Sequence, residues 1–177
     1  MLKEVLISGF GGQGSLMAGQ MLAMAGVMDD KNVTYRPVYG TEKRGGLAFC
    51  DVIISDEEIG SPALEETQCL VAMDENSFTK FEGIVKEGGK LIYNSSLVTS
   101  EGTRDDISYI AVPCNEIASK LGSEKVTNMI ILGAYLGAED FLSMDIVEAA
   151  LREEMGPSKE KLIPLNRQAL EEGANCK

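Results

Sequence analysis

A chain of 177 residues is long enough for one domain with a sizeable core and too short for two full ones. Its 44% apolar and 25% charged residues exclude a disordered tail or a fibrous repeat, and a net charge of −12 opposes a nucleic-acid or anionic-membrane surface. Histidine is absent, which removes Ser-His and Cys-His catalysis, His-ligated metals and an imidazole base from this chain.

The four cysteines, Cys50, Cys69, Cys114 and Cys176, stand at least 19 positions apart. A zinc or iron–sulfur site shows C-x2-C spacing, so none is expected, and the thiols read as buried and free in a reducing cytosol. Lys3 and Glu4 interrupt the short apolar start, so no signal peptide is expected. Met129 to Ala138 is too short and too glycine-rich to span a bilayer. The expected location is the cytoplasm.

In chain order, Val5-Leu6-Ile7-Ser8 reads as a buried strand that enters a glycine-rich turn. Ser15 to Met28 is rich in small and apolar residues and reads as a buried helix, its methionines filling core. Asn32–Arg36 and Phe49–Ser55 read as strands, the latter with Asp51 as an awkward polar residue inside it. A helix is expected after Ser61-Pro62, with Ser61 as N-cap and Pro62 in the first helical position. Cys69 to Met73 is the next strand, and Asp74 can cap a helix through Phe81. Gly88-Gly89 should turn the chain into a strand at Lys90–Tyr93, with a further strand at Ile107–Val112. Helices follow over Pro113–Leu121 and Val126–Gly137, then one capped by Ser143 or Asp145, and a last from about Pro164 to Glu172. This alternation predicts a single domain over 1–177: an α/β fold with an open, mostly parallel, Rossmann-like sheet flanked by helices and a helical C-terminal tail.

Gly9-Phe10-Gly11-Gly12-Gln13-Gly14 matches G-x-G-x-x-G between a predicted strand and a predicted helix. There a side chain would hold a phosphate away from the helix N-terminal N–H groups, whose dipole favours negative charge. A tight crossover with close packing and no ligand uses the same residues. The acidic residue that a dinucleotide ribose needs about 20 residues on is missing, since Thr34, Tyr35 and Arg36 stand there. NAD is disfavoured, while Arg36 suits a 2′-phosphate or another phosphate group.

Charge is uneven. Lys31, Arg36, Lys43 and Arg44 face only Glu42 between positions 31 and 46, whereas positions 51 to 79 hold eight acids before the first base at Lys80. A basic island beside a glycine turn suits an anion pocket, and the acidic stretch reads as a solvated rim. Within the island, Tyr39-Gly40-Thr41-Glu42-Lys43-Arg44-Gly45-Gly46 forms a loop between two strands. At the carboxyl end of the sheet it faces the same crevice as the first turn, and Arg44 with two glycines can approach a phosphate or carboxylate.

The two loops together carry a resemblance. The chain resembles the gamma subunit of 2-oxoacid:ferredoxin oxidoreductases, the group acting on pyruvate, 2-oxoglutarate or branched-chain 2-oxoacids. The resembling residues are Gly9 to Gly14, Ala18-Gly19, Leu22-Ala23, Pro37 to Gly40, Glu42 to Gly46, Ser55-Asp56 and Ile59 to Pro62, then Ala118 to Gly122, Asn128-Met129 and Leu132-Gly133. They span nearly the whole chain. Thr41 departs from the usual Pro or Ala and alters loop stiffness. The beta subunit of indolepyruvate oxidoreductase is also similar and shares the first glycine motif.

The resemblance implies one subunit of an enzyme that oxidatively decarboxylates a 2-oxoacid with coenzyme A and passes electrons to ferredoxin. Thiamine diphosphate, magnesium and iron–sulfur clusters are then expected in alpha, beta and ferredoxin-like delta partners. This chain is expected to hold no catalytic residue and no metal. Its coenzyme A-handling residues would be Gly9, Gly11, Gly12, Gln13, Gly14, Arg36, Tyr39, Gly40, Arg44, Gly45 and Gly46. Two other readings stay open: a free-standing NADP-dependent reductase, which lacks a Tyr-x-x-x-Lys pair in a helix, and a scaffold whose glycine turn only packs.

Overall fold

A computed structural model describes residues 1–41 and 46–176. Its strands are β1 (Leu2–Phe10), β2 (Asn32–Tyr39), β3 (Leu47–Ser55), β4 (Thr67–Ala72), β5 (Val85–Asn94) and β6 (Ser108–Val112). Its α-helices are α1 (Ser15–Met28), α2 (Glu75–Phe81), α3 (Cys114–Leu121), α4 (Thr127–Glu139), α5 (Met144–Met155) and α6 (Ile163–Ala174). The strands form one sheet in the order β2-β3-β1-β4-β5-β6. Only β3 runs against the rest, pairing antiparallel with both β1 and β2. The expected mostly parallel α/β sheet with a helical tail is therefore present.

Strand alternation divides the core between the two sheet faces. Val5, Ile7, Cys69, Val71 and Ile92 pack with α1, α4 and α6 in the larger cluster. Leu6, Leu70, Ala72 and Leu91 point the other way, onto Phe78 of α2 and Val98. Each such side chain is almost wholly buried, which for the Val, Leu, Ile and Phe among them stabilises by about 1.5–3 kcal/mol relative to exposure. On the larger face, α4 lies against α6 with no room between their backbones. A Cβ at Gly137 would stand 2.6 Å from the Ala174 carbonyl oxygen, and Gly133 and Gly173 are closer still to facing backbone. Glycine in these helices costs helix propensity and here permits contact between the two backbones.

Two local expectations fail. No helix forms after Ser61-Pro62; the Ser61 hydroxyl instead accepts from Ala63 N (3.3 Å) within a bend. The chain must re-enter the sheet at Thr67, so the cap signal has only five residues in which to act. Gly88-Gly89 is not a turn between elements but lies inside the ten-residue β5, where the register with β4 slips between Thr67 and Cys69. The glycine preference acts inside the strand instead of ending it: Gly88 is left-handed (φ 75°), and the residues between Val85 and Lys90 bulge out of the β4 register. The Asp74 cap is as expected, its carboxylate accepting from Ser77 N (2.8 Å). Of the two caps offered for α5, Ser143 serves, accepting from Ile146 N (3.3 Å). Among the described residues, no helix is long and apolar enough to cross a membrane.

Candidate functional site

The parallel strands β1, β4 and β5 end together, and the connections leaving them enclose an open cleft of about 540 Å³. Phe10 ending β1 lines it with Gly12, Gln13, Gly14 and Met17 beyond, as do Met73 after β4, Asn94 ending β5 and Leu97 beyond it. Asn115 of α3 and Glu124, Lys125, Thr127 and Asn128 around the start of α4 complete the wall. The N-termini of α1, α3 and α4 thus converge on one opening at the carboxyl edge, the place where open α/β sheets bind ligands. Their dipoles give this opening a positive field inside an acidic molecule.

Three of the motif glycines, Gly9, Gly12 and Gly14, have distinct surroundings. Gly14 is the N-cap of α1 in left-handed conformation (φ 83°), and a Cβ there would meet Asn128 Nδ2 at 2.6 Å. Gly12 is also left-handed (φ 104°) but faces open space. At Gly9 a Cβ would meet the Gln13 carboxamide oxygen at 2.5 Å and Met73 Cβ at 3.2 Å. Of Gly9, Gly12 and Gly14, Gly12 alone meets the condition the sequence argument set, a bare backbone open to a ligand. Gly9 and Gly14 make room for neighbouring side chains.

The turn's donors are largely engaged within the fold. Gln13 folds back so that its oxygen accepts from Phe10 N (2.9 Å) and its nitrogen donates to Met73 O (3.2 Å), bridging the ends of β1 and β4. Gly11 N donates to Gly46 O (2.8 Å), and Gln13 N to Phe10 O (3.1 Å). The Gly46 contact ties the end of the basic loop to the glycine turn, so the two loops meet at one edge. At the other flank, Gly40 N donates to Leu47 O (2.7 Å). Glu42, Lys43, Arg44 and Gly45 lie outside the described residues.

Arg36 stands elsewhere. It pairs in register with Asp51, which in turn faces Leu6, four positions short of Phe10. Asp51 lies between Cys50 and Val52, both in the α1 cluster, so its side chain is on the opposite face. Arg36 Nε donates to Asp51 Oδ2 (2.8 Å) and the guanidinium makes a second contact with the same oxygen. Leu64 N adds a third donor (3.3 Å). Arg36 thus balances the charge of the fully buried Asp51, whose Oδ2 ties the edge strand and the chain before β4 to β3, while its Oδ1 has no hydrogen-bond partner among the described residues. Tyr39 ends β2 with 73% of its surface exposed, level with Ala48 and hence with Gly9.

Sequence reasoning missed Asn94, Asn115, Leu97 and Lys125. Asn94 Nδ2 donates to Asn115 Oδ1 (2.9 Å) while Asn94 Oδ1 accepts from Ser96 N (3.1 Å). Ser96 Oγ accepts from Asn115 N (3.2 Å), capping α3. The available signal was position: a polar residue ending a parallel strand, and another opening the helix after the next strand. Asn128, read only as part of the resemblance, donates through Nδ2 to Gly14 O (3.4 Å) and so joins α4 to the turn.

Burial raises the thiols of Cys50, to about 12, and of Cys69 and Cys114, which keeps all three protonated near neutrality. Among the described residues, no group of three His, Cys, Asp or Glu side chains is placed to hold a metal ion.

Residues 4–176 match the pyruvate ferredoxin/flavodoxin oxidoreductase family. The chain belongs to that family. It is 37% identical over 97% of its length to ketoisovalerate oxidoreductase subunit VorA of Methanothermobacter thermautotrophicus, of which it covers 35%. It thus spans about a third of that relative. It is also 34% identical over 91% of its length to 2-oxoglutarate synthase subunit KorC of Methanothermobacter marburgensis, covering 90% of that protein. The solved gamma subunit of a keto/oxoacid ferredoxin oxidoreductase from Geobacter sulfurreducens superposes with a TM-score of 0.82 at 31% identity. That match covers 97% of this chain and 96% of the other.

Proposed function

We propose that this chain is the gamma subunit of a multi-subunit 2-oxoacid:ferredoxin oxidoreductase, in which it handles coenzyme A and completes the assembled active site. The observation that carries this reading is the near full-length match to a protein described as a gamma subunit, over 97% of this chain and 96% of that one. The carbon chemistry belongs to partners: alpha and beta subunits holding thiamine diphosphate and magnesium, and a ferredoxin-like delta subunit holding clusters that lead to ferredoxin. A cytoplasmic location follows from that assembly.

In this chain, the cleft at the carboxyl edge receives coenzyme A. Gly12 leaves the turn's backbone open, the α1 N-terminus has no side-chain cap, and the field there favours phosphate. The basic loop from Tyr39 to Gly46 supplies Arg44 and, with the turn, neutralises the ligand's phosphates or closes over a cofactor of a neighbouring subunit. The NADP-reductase reading loses support, because the base proposed for a 2′-phosphate, Arg36, is engaged by Asp51.

Two experiments test the proposal. Affinity purification of the tagged chain from its native cells should recover thiamine diphosphate-binding subunits, and recovery of the chain alone would contradict the complex. In that complex, Arg44→Ala should raise the coenzyme A concentration needed for half-maximal rate while leaving 2-oxoacid decarboxylation intact. An unchanged coenzyme A dependence removes the phosphate role of the loop.

A further inference from the structure

The glycine turn has few donors left for an anion. Phe10 N is taken by the Gln13 carboxamide, Gly11 N by Gly46 O, and Gln13 N by Phe10 O. The gap between the ends of β1 and β4 is bridged by Gln13 itself. In a dinucleotide site of this fold the diphosphate lies on the glycine turn at the helix N-terminus. Here much of that surface is committed to internal hydrogen bonds.

On the cleft's wall beside the start of α4 lies Lys125, the one cationic side chain lining it among the described residues. It is exposed, and no described carboxylate lies within ion-pairing distance of it. It stands two residues before α4, whose first residues, Thr127 and Asn128, also line the cleft. An ammonium group and a helix N-terminus at the same corner act on an anion together. Glu124, its neighbour on that wall, opposes them. The rest of the lining is uncharged and includes four carboxamides, Gln13, Asn94, Asn115 and Asn128, beside Phe10, Met17, Met73 and Leu97. Such a wall suits a neutral, amide-bearing chain that ends in an anion.

From this we infer that Lys125 is a phosphate anchor of the cleft: it holds a phosphate of coenzyme A while the carboxamide wall receives the ligand's uncharged arm. The inference rests on the coenzyme A reading of the cleft and adds a residue outside the glycine motif and the basic loop.

Titration calorimetry on the full chain at fixed ionic strength tests it, with coenzyme A and the phosphate-free pantetheine as probes. Lys125→Ala should weaken coenzyme A binding about tenfold, the loss of one charge-assisted contact. Pantetheine binding should not change, Lys125→Arg should retain coenzyme A affinity, and Glu124→Gln should tighten it. Wild-type binding of coenzyme A with no loss in Lys125→Ala overturns the anchor and leaves the cleft reading standing. An equal loss for both probes also overturns it, since the lysine would then act on the shape of the wall. Failure of the wild-type chain to bind coenzyme A contradicts the cleft reading, and the anchor falls with it.

Discussion

The two ends of the parallel sheet treat charge and hydrogen-bonding groups in opposite ways. At the amino end, Glu139 at the end of α4 accepts from both Lys3 and Lys90 at 2.6 Å. Lys90 also reaches the Ala138 carbonyl oxygen (3.1 Å) and Lys3 the Glu139 carbonyl oxygen (3.4 Å), so both lysines cap the negative end of the helix. Lys86 pairs with Glu4 close by. At the carboxyl end, α4 begins at an open cleft with Lys125 beside it and no such partner. The same helix is therefore stabilised at one end and presented at the other. Satisfied charges mark the end that supports the fold, and the proposed ligand cleft lies at the end where Lys125 has no such partner among the described residues.

The largest expected effect comes from breaking the paired end. Glu139→Ala leaves two half-buried lysines facing each other without their shared carboxylate and should cost about 2–3 kcal/mol in urea unfolding, with coenzyme A affinity unchanged. Gly14→Ala at the other end forces a left-handed residue against Asn128 and should cost about 1–3 kcal/mol. Unlike the first, it should also disturb the cleft, which a coenzyme A titration of the folded variant would register.

Acid sharpens the same contrast. Burial pushes the Glu139 carboxyl up, but the hydrogen bonds from Lys3 and Lys90 outweigh it and hold the group below the ordinary carboxylate value. A carboxyl held low in the folded state stabilises above its unfolded value, about 4.3. That contribution is lost as pH falls through the folded value. The stability gap between wild type and Glu139→Gln should accordingly be full at pH 7 and close below about pH 4.3, measured by urea midpoints across that range. The smallest effect belongs to Lys125→Ala, an exposed change that should move stability by less than about 0.5 kcal/mol.

The legible parts of this fold were those fixed by neighbours in sequence. The strand before the glycine turn, the helix after it, and the Asp74 cap each depend on a few adjacent residues, and each was readable. Ser61-Pro62 carried an equally local signal and misled, because β4 begins at Thr67 and leaves no length for a helix. Arg36 could be read as a free cation only while its partner was unknown. Strand register brings Asp51 opposite it, and one pairing accounts for both the base and the awkward buried acid. Gly88-Gly89 shows the same dependence: Gly88 takes the left-handed conformation its turn signal asks for (φ 75°), but as a bulge within β5 and not as the strand's start. In the cleft, the glycine turn announced itself as a motif. Apart from Met17 of α1, the remaining lining residues lie between positions 73 and 128 and meet only through topology.

Amide chemical-shift mapping of the full chain during coenzyme A titration tests the cleft most directly, because it lets the two ends of the sheet compete for the ligand. Shifts should concentrate at Gly12, Gly14, Asn94, Asn115, Thr127 and Asn128. Shifts confined instead to the pocket of about 460 Å³ at the amino end of β1, lined by Leu2, Glu4, Ile53 and Leu64, would contradict the account, as would no shifts at all.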